Sequence, residues 1–387
     1  MASRRRVAVM INLQRPVVYH HQVVAGIERY ARKSGRWQVL INPFPQLDLK
    51  AGRKAPRVDG IIGRLTLEVV TLARKAGVPM VNVKLNARVR SVPSVLHDPD
   101  ESGRMAARHL QARGFRNFAY VGFARDEGSR RQLAAMRGVL SEAGFNCSAF
   151  WASQRYSTKV SNWLRFRQEL DQWISGWSTP IGVFVSHDLL CRHVATACLN
   201  HGLEVPFDVA MVGSHNEPVV CRAEPTLSSI DFGFERIGYH AAELLDQLMD
   251  GAPEPAEPIY LPPAELVPRQ STDVVSVDDP LVSKALRYIM EHSHKSIGVK
   301  DVASHVGTTR RTLLRSFQKH LGQTVDHFIS RLRHERVRRV LVESDEPLKI
   351  IAQESGFRDA TELCKTFRRI EGITPSEYRK LRTGRRS

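Results

Sequence analysis

The sequence predicts a chain with two different parts: an α/β part arranged as two lobes with parallel sheets, followed by an all-α part. Through the first two-thirds of the chain, short β-rich runs alternate with helical stretches, which is typical of parallel sheets covered by helices. Seven prolines then fall within residues 251–282 and interrupt regular structure. After Pro280 the β-rich runs fade and helical periodicity continues almost to the end.

The first lobe is predicted from four β-rich runs near the N-terminus. Helical stretches at residues 21–33 and 67–76 separate them, as crossover connections between parallel strands require. The runs are RVAVMINL, WQVLIN, DGIIG and PMVNVKL.

The second lobe is predicted because the same alternation returns further along the chain. Its helical stretches are residues 130–143 and 189–200, and its β-rich runs are FAYVGF, IGVFVS and VAMVGS. Ligands of open parallel sheets bind beyond the carboxyl ends of the strands. Two such lobes therefore predict a ligand cleft between them.

The proline-rich region and the charge distribution predict the domain boundaries. We expect a first domain at residues 1–270, a linker at 271–282 and a second domain at 283–387. The net charge is +17, and residues 283–387 hold 23 Lys and Arg against 12 Asp and Glu, whereas the preceding residues carry only +6. A basic domain attached to a milder body predicts a polyanionic partner for that domain.

Several classes of protein are disfavoured by what the sequence lacks. It has no apolar run long enough for a membrane span. Its five cysteines form no C-x-x-C pair, which favours a reducing cytoplasm and no metal site. The signatures of nucleophile elbows, phosphate-binding loops, dinucleotide folds and zinc proteases are all missing. We therefore expect no catalytic residues, no cofactor and no metal.

A helix-turn-helix pattern opens the basic domain. Val299, Val302, Ala303 and Val306 recur at helical spacing, and Gly307 can end that helix in the left-handed conformation. Thr308 or Thr309 can cap the next helix, whose Leu313 and Phe317 face inward. Its opposite face presents Arg311, Arg315 and Gln318. An arginine fork on such a helix can bind guanine in a major groove, or a phosphate.

The same helix-turn-helix pattern returns after the connecting stretch, in LKIIAQESGFRDATELCKTFRRIEG. Gly356 makes the turn, Leu363 and Phe367 point inward, and Thr361, Glu362 and Lys365 lie outward. The connecting stretch RLRHERVRRVLVES is helical, and it can separate two reading helices by about 34 Å, one turn of DNA. One unit of this kind is a weak signal, whereas two in tandem indicate DNA binding.

Residues 283–381 resemble the DNA-binding domain of the AraC/XylS family of transcription regulators. The resemblance rests on both units and on the closing stretch IAQESGF…TELCKTFRRIEGITPSEYRK. It implies that outward residues of both second helices contact double-stranded DNA, and that Leu314 offers only an apolar contact. On the connecting helix we expect Arg338 to contact a phosphate. The expected DNA-binding residues are Thr309, Arg310, Arg311, Leu314, Arg315, Arg338, Ala360, Thr361, Glu362 and Lys365.

The first domain resembles the periplasmic-binding-protein-like sensor of LacI-type repressors. The supporting segments are NLQRPVVYHHQVVAGI, FVSHDLL, MVGSHNEP and LSSIDFGFERIGYHAAELL. The resemblance implies a sugar or sugar-derived effector held by polar side chains at the strand ends, although Asp188 can alternatively cap a helix. The expected ligand-binding residues are Asn12, Gln14, Tyr19, Arg88, Arg125, Gln132, Asp188 and His215, with Lys84, Asn86, Arg131, His187 and Asn216 beside them.

The residue at position 215 departs from the pattern of such sensors. Many of them have an aspartate where MVGSHNEP has His215, and a neutral imidazole accepts one hydroxyl proton where a carboxylate accepts two. Together with Arg88, Arg125 and Arg131, this histidine suggests the hypothesis of an anionic ligand such as a sugar acid or a phosphorylated sugar. The alternative is that the arginines face solvent and the cleft takes a neutral sugar.

The resulting prediction is a cytoplasmic transcription regulator that is not an enzyme. The resemblance implies activation of a promoter in response to a small-molecule effector, contact with RNA polymerase, and a homodimer presenting four reading helices. Three alternatives remain open: a ligand-independent or repressing DNA-binding protein with a degenerate sensor, an enzyme with a DNA-binding tail, and an architectural protein that bends DNA.

Overall fold

The computed structural model describes residues 4–13, 18–51, 58–85, 89, 91–153, 156–274, 277 and 279–383. The chain divides into two compact units, Met1–Val274 and Val275–Ser387. The first is the α/β unit and the second is helical throughout its described residues, which confirms the predicted fold classes. No helix in the described ranges is long and apolar enough to span a bilayer.

The first lobe is built on a four-stranded parallel sheet in the order β2-β1-β3-β4. Its central strands are fully buried at Val7, Ala8, Ile61 and Ile62, as expected for a sheet with helices on both faces. The strands are β1 Arg5–Met10, β2 Trp37–Ile41, β3 Gly60–Gly63 and β4 Met80–Asn82, and the helices between them are α1 Val18–Ser34, α2 Pro45–Ala51 and α3 Leu67–Ala76.

The second lobe is built on a six-stranded sheet in the order β12-β10-β9-β8-β6-β7, in which β12 alone is antiparallel. One face of this sheet packs on α6 and α7 in a buried apolar core. The strands are β6 Asn117–Phe123, β7 Cys147–Ala152, β8 Ile181–Val185, β9 Val209–Ser214, β10 Ser228–Asp231 and β12 Glu265–Val267, and the helices are α4 Pro99–Gln111, α5 Glu127–Glu142, α6 Val160–Ile174, α7 Asp188–Asn200 and α8 Pro218–Cys221.

The chain passes between the two lobes three times. It crosses after β5, Val95–His97; after β10, into α9, Phe234–Met249; and after β11, Ile259–Leu261, which pairs with β5. Helix α9 returns to the first lobe and packs tightly on α1, since a side chain at Gly26 or Gly238 would collide with the backbone of the partner helix. These crossings confirm the two-lobed arrangement.

The boundary between the units lies later than the sequence predicts. Ser271 and Thr272 are fully buried in the second lobe, where Ser271 donates to Met211 O at 2.6 Å and Thr272 Oγ1 lies 2.6 Å from Ser228 Oγ. The α/β unit therefore includes the first residues of the predicted linker. The prolines broke regular structure as expected, yet two short strands and a 3₁₀ turn still pack there.

The helical unit has two small cores joined by one long helix. Helix α13, Val325–Glu343, places Phe328 and Leu332 in the first core and Val337 and Leu341 in the second. The remaining helices are α10 Pro280–His292, α11 Val299–Val306, α12 Arg310–Leu321, α14 Leu348–Glu354, α15 Ala360–Glu371 and α16 Pro375–Thr383.

The helical unit begins before the predicted residue 283. Asp279 caps α10 by accepting from Val282 N at 2.9 Å, and it also accepts from Ser316 Oγ and lies 3.3 Å from His320 Nε2 on α12. Val277 and the fully buried Val282 pack on the first core. Residues 279–282 thus pack as part of the helical unit.

We expect the fragment 277–387 to be more stable than the fragment 283–387 by at least about 2 kcal/mol, because the shorter one lacks the cap and a buried valine. Urea unfolding of both fragments measures the difference. In the longer fragment, Asp279→Ala should cost about 1 kcal/mol, whereas the exposed Asp326→Ala serves as the control. Equal midpoints for the two fragments would contradict the assigned boundary.

Candidate functional site

Three histidines meet where the carboxyl ends of strands from both lobes face the cleft. His97 ends β5, His187 follows β8 by two residues, and His215 follows β9 directly. The rings of His187 and His215 are stacked, with centroids 4.5 Å apart and an interplanar angle of 29°. The sequence predicted His187 and His215 at this cleft, and the structure brings them into contact.

Aromatic side chains enclose the histidine rings. Phe234, at the start of α9, stacks on His215 with ring centroids 5.7 Å apart and contacts Tyr19 of α1 at 5.0 Å. Phe232 lies 5.3 Å from His215 and 4.5 Å from His97. The cleft therefore presents flat apolar faces together with a few ring nitrogens, an arrangement suited to orienting a small ligand.

A strained loop holds His215 in this position. His215 and Asn216 both have positive φ, 96° and 50°, which is uncommon for residues other than glycine. Asn216 is fixed on three sides: its N–H donates to Ser229 Oγ, its amide nitrogen donates to Asp231, and its amide oxygen accepts from Arg269. These bonds offset the strain and aim the imidazole into the cleft.

Asp188 supports this loop from behind. It is 1% exposed, and its carboxylate accepts from Ser229 Oγ at 2.6 Å and from Glu217 N at 2.8 Å. Burial raises the pKa of this carboxyl to about 6, and the two hydrogen bonds act against that rise. The helix cap suggested for Asp188 is wrong, because His187 occupies the N-cap of α7 and Asp188 is its first residue.

The three histidines are neutral at ordinary pH. Burial is the main cause that lowers the pKa of His97 and of His215 to about 3, and that of His187 to about 4. His215 Nδ1 lies 2.7 Å from Ser214 O, so this nitrogen carries the proton and Nε2 is left as an acceptor.

Of the three arginines expected near the cleft, the one with described partners is Arg131. Arg131 forms a two-pronged ion pair with Asp100, at 2.6 Å for its shortest contact, and its guanidinium lies over the ring of Tyr260. Arg125 is exposed. Arg88, together with Gln14 and Asn86, lies outside the described residues.

Gln132 is placed in the interior rather than at the cleft surface. It is 3% exposed, its amide oxygen accepts from Tyr120 at 2.9 Å, and its amide nitrogen donates to Ser102 at 3.1 Å. Both ends of the amide thus have partners within the second lobe, which leaves its side chain away from the cleft surface where a ligand contact was expected.

Two other expected residues lie at the mouth of the first lobe. Asn12 is exposed, and its backbone carbonyl lies 2.9 Å from His20 Nδ1. The Tyr19 hydroxyl lies 3.5 Å from Arg64 Nη1, which also lies 2.8 Å from His20 Nε2. Tyr19 is therefore anchored by α1 and by a residue that follows β3, and its ring completes the aromatic wall.

Sequence reasoning missed three members of the cleft. His97 ends one short strand, and Phe232 and Phe234 follow another; both strands are too short to stand out as β-rich runs. A usable signal was the position of FGF directly after SSID, where the chain leaves a strand and enters α9. No group of His, Cys, Asp and Glu among the described residues is arranged to hold a metal.

A separate cavity of about 740 Å³ lies at the opposite, amino end of the first sheet. Two of the charged groups in its wall already have partners. Arg5 pairs with Asp246 and Asp250, and Asp59 accepts from Arg6 N.

The first helix-turn-helix pattern is present as predicted. Helix α11 ends at Gly307, whose φ of 73° permits the turn, and Thr309 caps α12 by accepting from Thr312 N. Leu313 and Phe317 are fully buried. The opposite face of α12 is exposed and carries Arg310, Arg311, Arg315, Gln318 and Lys319.

The second pattern repeats this geometry. Gly356 makes the turn with φ 76°, and Asp359 caps α15 by accepting from Glu362 N. Thr361 and Lys365 are exposed, and Ala360 is half-buried. Glu362 reaches back to accept from Arg358 N at 2.8 Å, so its carboxylate already stabilises the helix start.

Two residues that are expected to contact DNA also have partners inside the unit. Leu314 is partly buried and packs on the first core. Arg338 Nε lies 3.0 Å from the Tyr378 hydroxyl and 3.3 Å from Glu371 Oε1, which ties α13 to α15 and α16. The guanidinium of Arg338 therefore also stabilises the second half, while its contact with a DNA phosphate stays a prediction.

Comparison with known proteins supports both units. The periplasmic binding protein-like domain family matches residues 107–272, and the helix-turn-helix domain family matches residues 302–381. The xylose operon regulatory protein of Escherichia coli (strain K12) is 27% identical, with 97% of each chain covered. Its counterpart in Haemophilus influenzae is 26% identical over 97% of this chain and 98% of its own.

Solved structures agree with these relatives. The structure of the xylose-binding transcription activator xylR matches with a TM-score of 0.74 and 25% identity, over 99% of each chain. The transcriptional regulator CelR in complex with cellobiose matches 70% of this chain and 86% of its own, with a TM-score of 0.55 and 22% identity, which shows the fold of the α/β unit alone.

We expect the free energy of unfolding to fall as the pH drops below about 6.5. Unfolded histidines take up protons there, whereas the three cleft histidines stay neutral in the folded state, so the unfolded state binds more protons. Between pH 7.5 and 5.5, urea unfolding of the α/β unit should show a loss about 1 kcal/mol smaller in His187→Asn than in the wild type.

The raised pKa of Asp188 acts in the opposite direction below pH 6, which is why the comparison is made between variants rather than on the wild type alone. His240→Asn is the matched control, because His240 is exposed beside Glu243. If His187→Asn lost as much stability as the wild type, the neutral state of the cluster would be refuted.

Proposed function

We propose that this chain is a transcription regulator of the AraC/XylS family whose α/β unit binds a neutral sugar and whose helical unit binds promoter DNA. The observation that carries the proposal is the pair of helix-turn-helix units, each with its apolar side on a core and its polar side exposed. The likeness along the whole chain to xylose operon regulators supports it.

The exposed face of α12 is suited to a major groove. Arg310, Arg311 and Arg315 project from the first two turns, and the helix is anchored beneath them by Leu313 and Phe317. A helix rigidly seated on its domain can present an arginine fork to guanine O6 and N7 at a fixed angle. On α15, Thr361 and Lys365 take the corresponding positions.

The cleft favours a neutral polyhydroxy ligand over an anion. Its imidazoles are uncharged, and the charge of Arg131 is already matched by Asp100. Sugars present apolar C–H faces and hydroxyl edges, which fit stacked rings and the free Nε2 acceptor of His215. Since relatives are named for xylose, D-xylose is the first ligand to test.

The remaining features of the proposal follow from this mechanism. A regulator of this kind acts in the cytoplasm, contacts RNA polymerase when it activates, and presents paired reading helices as a homodimer. Catalysis is not part of the proposal, because the relatives are named as regulators.

We expect Arg311→Ala and Arg315→Ala each to weaken binding to the preferred duplex by roughly 1–3 kcal/mol and to relax base preference at one position. Selection from a random duplex library, followed by titration of single-base variants, measures both effects. Arg331→Ala is the control, because Arg331 pairs with Glu335. A loss that is uniform across all sequences would instead identify a phosphate contact.

We expect D-xylose or another neutral pentose to raise the melting temperature, whereas the corresponding sugar acid and sugar phosphate do not. At a concentration of about 100 Kd the ligand adds about 2.7 kcal/mol of stability. His215→Asp should favour neutral ligands further, because it adds a carboxylate to the cleft, and His240→Asp is the control. Stabilisation by the acid or phosphate alone would favour the anionic hypothesis.

A further inference from the structure

The two halves of the helical unit touch at a place away from the axis of their connecting helix. There the turn of the second helix-turn-helix unit, at Gly356, meets the segment 293–297 that joins α10 to α11 in the first. Arg333 of α13 bonds to the same segment. We call Arg333, Gly356 and the carbonyls of residues 293, 295 and 297 the inter-half joint.

Gly356 permits direct contact between backbones at this joint. A Cβ atom placed on it would collide with the carbonyl oxygen of Ser293, and would lie 2.8 Å from Arg333 Nε and 3.0 Å from Lys295 O. Its φ of 76° also disfavours any residue with a side chain. The close approach is therefore a property of the backbone path and not of an adaptable side-chain contact.

Arg333 locks the segment from the other side. Its Nε donates to Ser293 O at 3.1 Å, and its Nη2 donates to Lys295 O at 2.7 Å and to Ile297 O at 3.3 Å. The planar guanidinium fixes three carbonyls in one arrangement, which the single ammonium of a lysine cannot reproduce. The contacts of the joint tie together α13, the α10–α11 segment and the second turn.

The inter-half joint limits how far the connecting helix α13 can bend or twist. Helix α13 is shared by both cores, and on the second side His334 and Arg338 bind Glu371. A single shared helix can still bend or twist along its length. A contact placed off its axis removes this freedom, so α12 and α15 keep one relative distance and rotation.

We propose that the inter-half joint sets the spacing between the two DNA half-sites that α12 and α15 of one chain contact. Arg333 and Gly356 are then positioning residues for sequence recognition. This rests on the proposed DNA-binding function of the helical unit. Each inserted base pair moves a half-site by about 3.4 Å and rotates it by about 35°, which a rigid pair of reading helices cannot follow.

The test uses the full chain and a duplex that the wild type enriches from a random library. Base pairs are inserted one or two at a time between its half-sites, and the affinity for each duplex is measured. For the wild type, one inserted pair should reduce affinity roughly tenfold or more. For Arg333→Lys, which keeps the charge, the penalty should fall to about threefold or less while the salt dependence stays unchanged.

Arg331→Lys is the matched control, being the same change two residues earlier on the same helix, at a residue that pairs with Glu335. Gly356→Ala disrupts the joint at the second turn and should also reduce the affinity penalty for inserted base pairs. Melting curves confirm that each variant is folded. A spacing penalty equal in the wild type and folded Arg333→Lys would overturn the proposal. A wild type that enriches no duplex would remove the proposed function itself.

Discussion

The shared direction of parallel strands is the constraint on which the α/β unit depends. Because the strands of each lobe end at one edge and the chain crosses between lobes after β5, β10 and β11, residues distant in sequence meet in one cleft. His97 comes from the first crossing, Phe232 and Phe234 from the second, and His187 and His215 from strand ends of the second lobe. The topology, rather than any local motif, brings these rings together.

The sequence was informative where a strand is long and apolar, and less so elsewhere. The long strands β1, β6, β8 and β9 were predicted because buried parallel strands form continuous apolar runs. Strand β7, CSAFWA, was missed because its exposed Ser148 and Trp151 interrupt that pattern. In the cleft, position after a strand located His187 and His215, but it could not reveal that Gln132 turns inward toward Tyr120.

The loop at His215 shows that the residue placed at the cleft depends on the groups that support it. Two consecutive positive φ values cost free energy, and a buried carboxylate costs more. The structure combines the two, since Asp188 accepts from Ser229 and Glu217 while Asn216 bonds to Ser229, Asp231 and Arg269. The carboxylate of Asp188 therefore lies on the side of the loop away from the cleft, and the side facing the cleft carries the uncharged imidazole of His215.

In the helical unit, too, the position of a charged side chain decides its role. Its excess of basic residues predicted a polyanionic partner, yet some of its arginines bind groups inside the unit and others are exposed. Arg333, Arg338 and Arg379 donate to carbonyls, a hydroxyl or a carboxylate inside the unit; Arg333 joins its two halves, and the other two stabilise the second half. Arg311 and Arg315 are exposed on the face of α12 opposite Leu313 and Phe317. Composition cannot separate these groups, because the difference lies in which acceptors the backbone brings within reach. In the proposed function, the rigid frame made by the first group holds the second group in place to read a sequence.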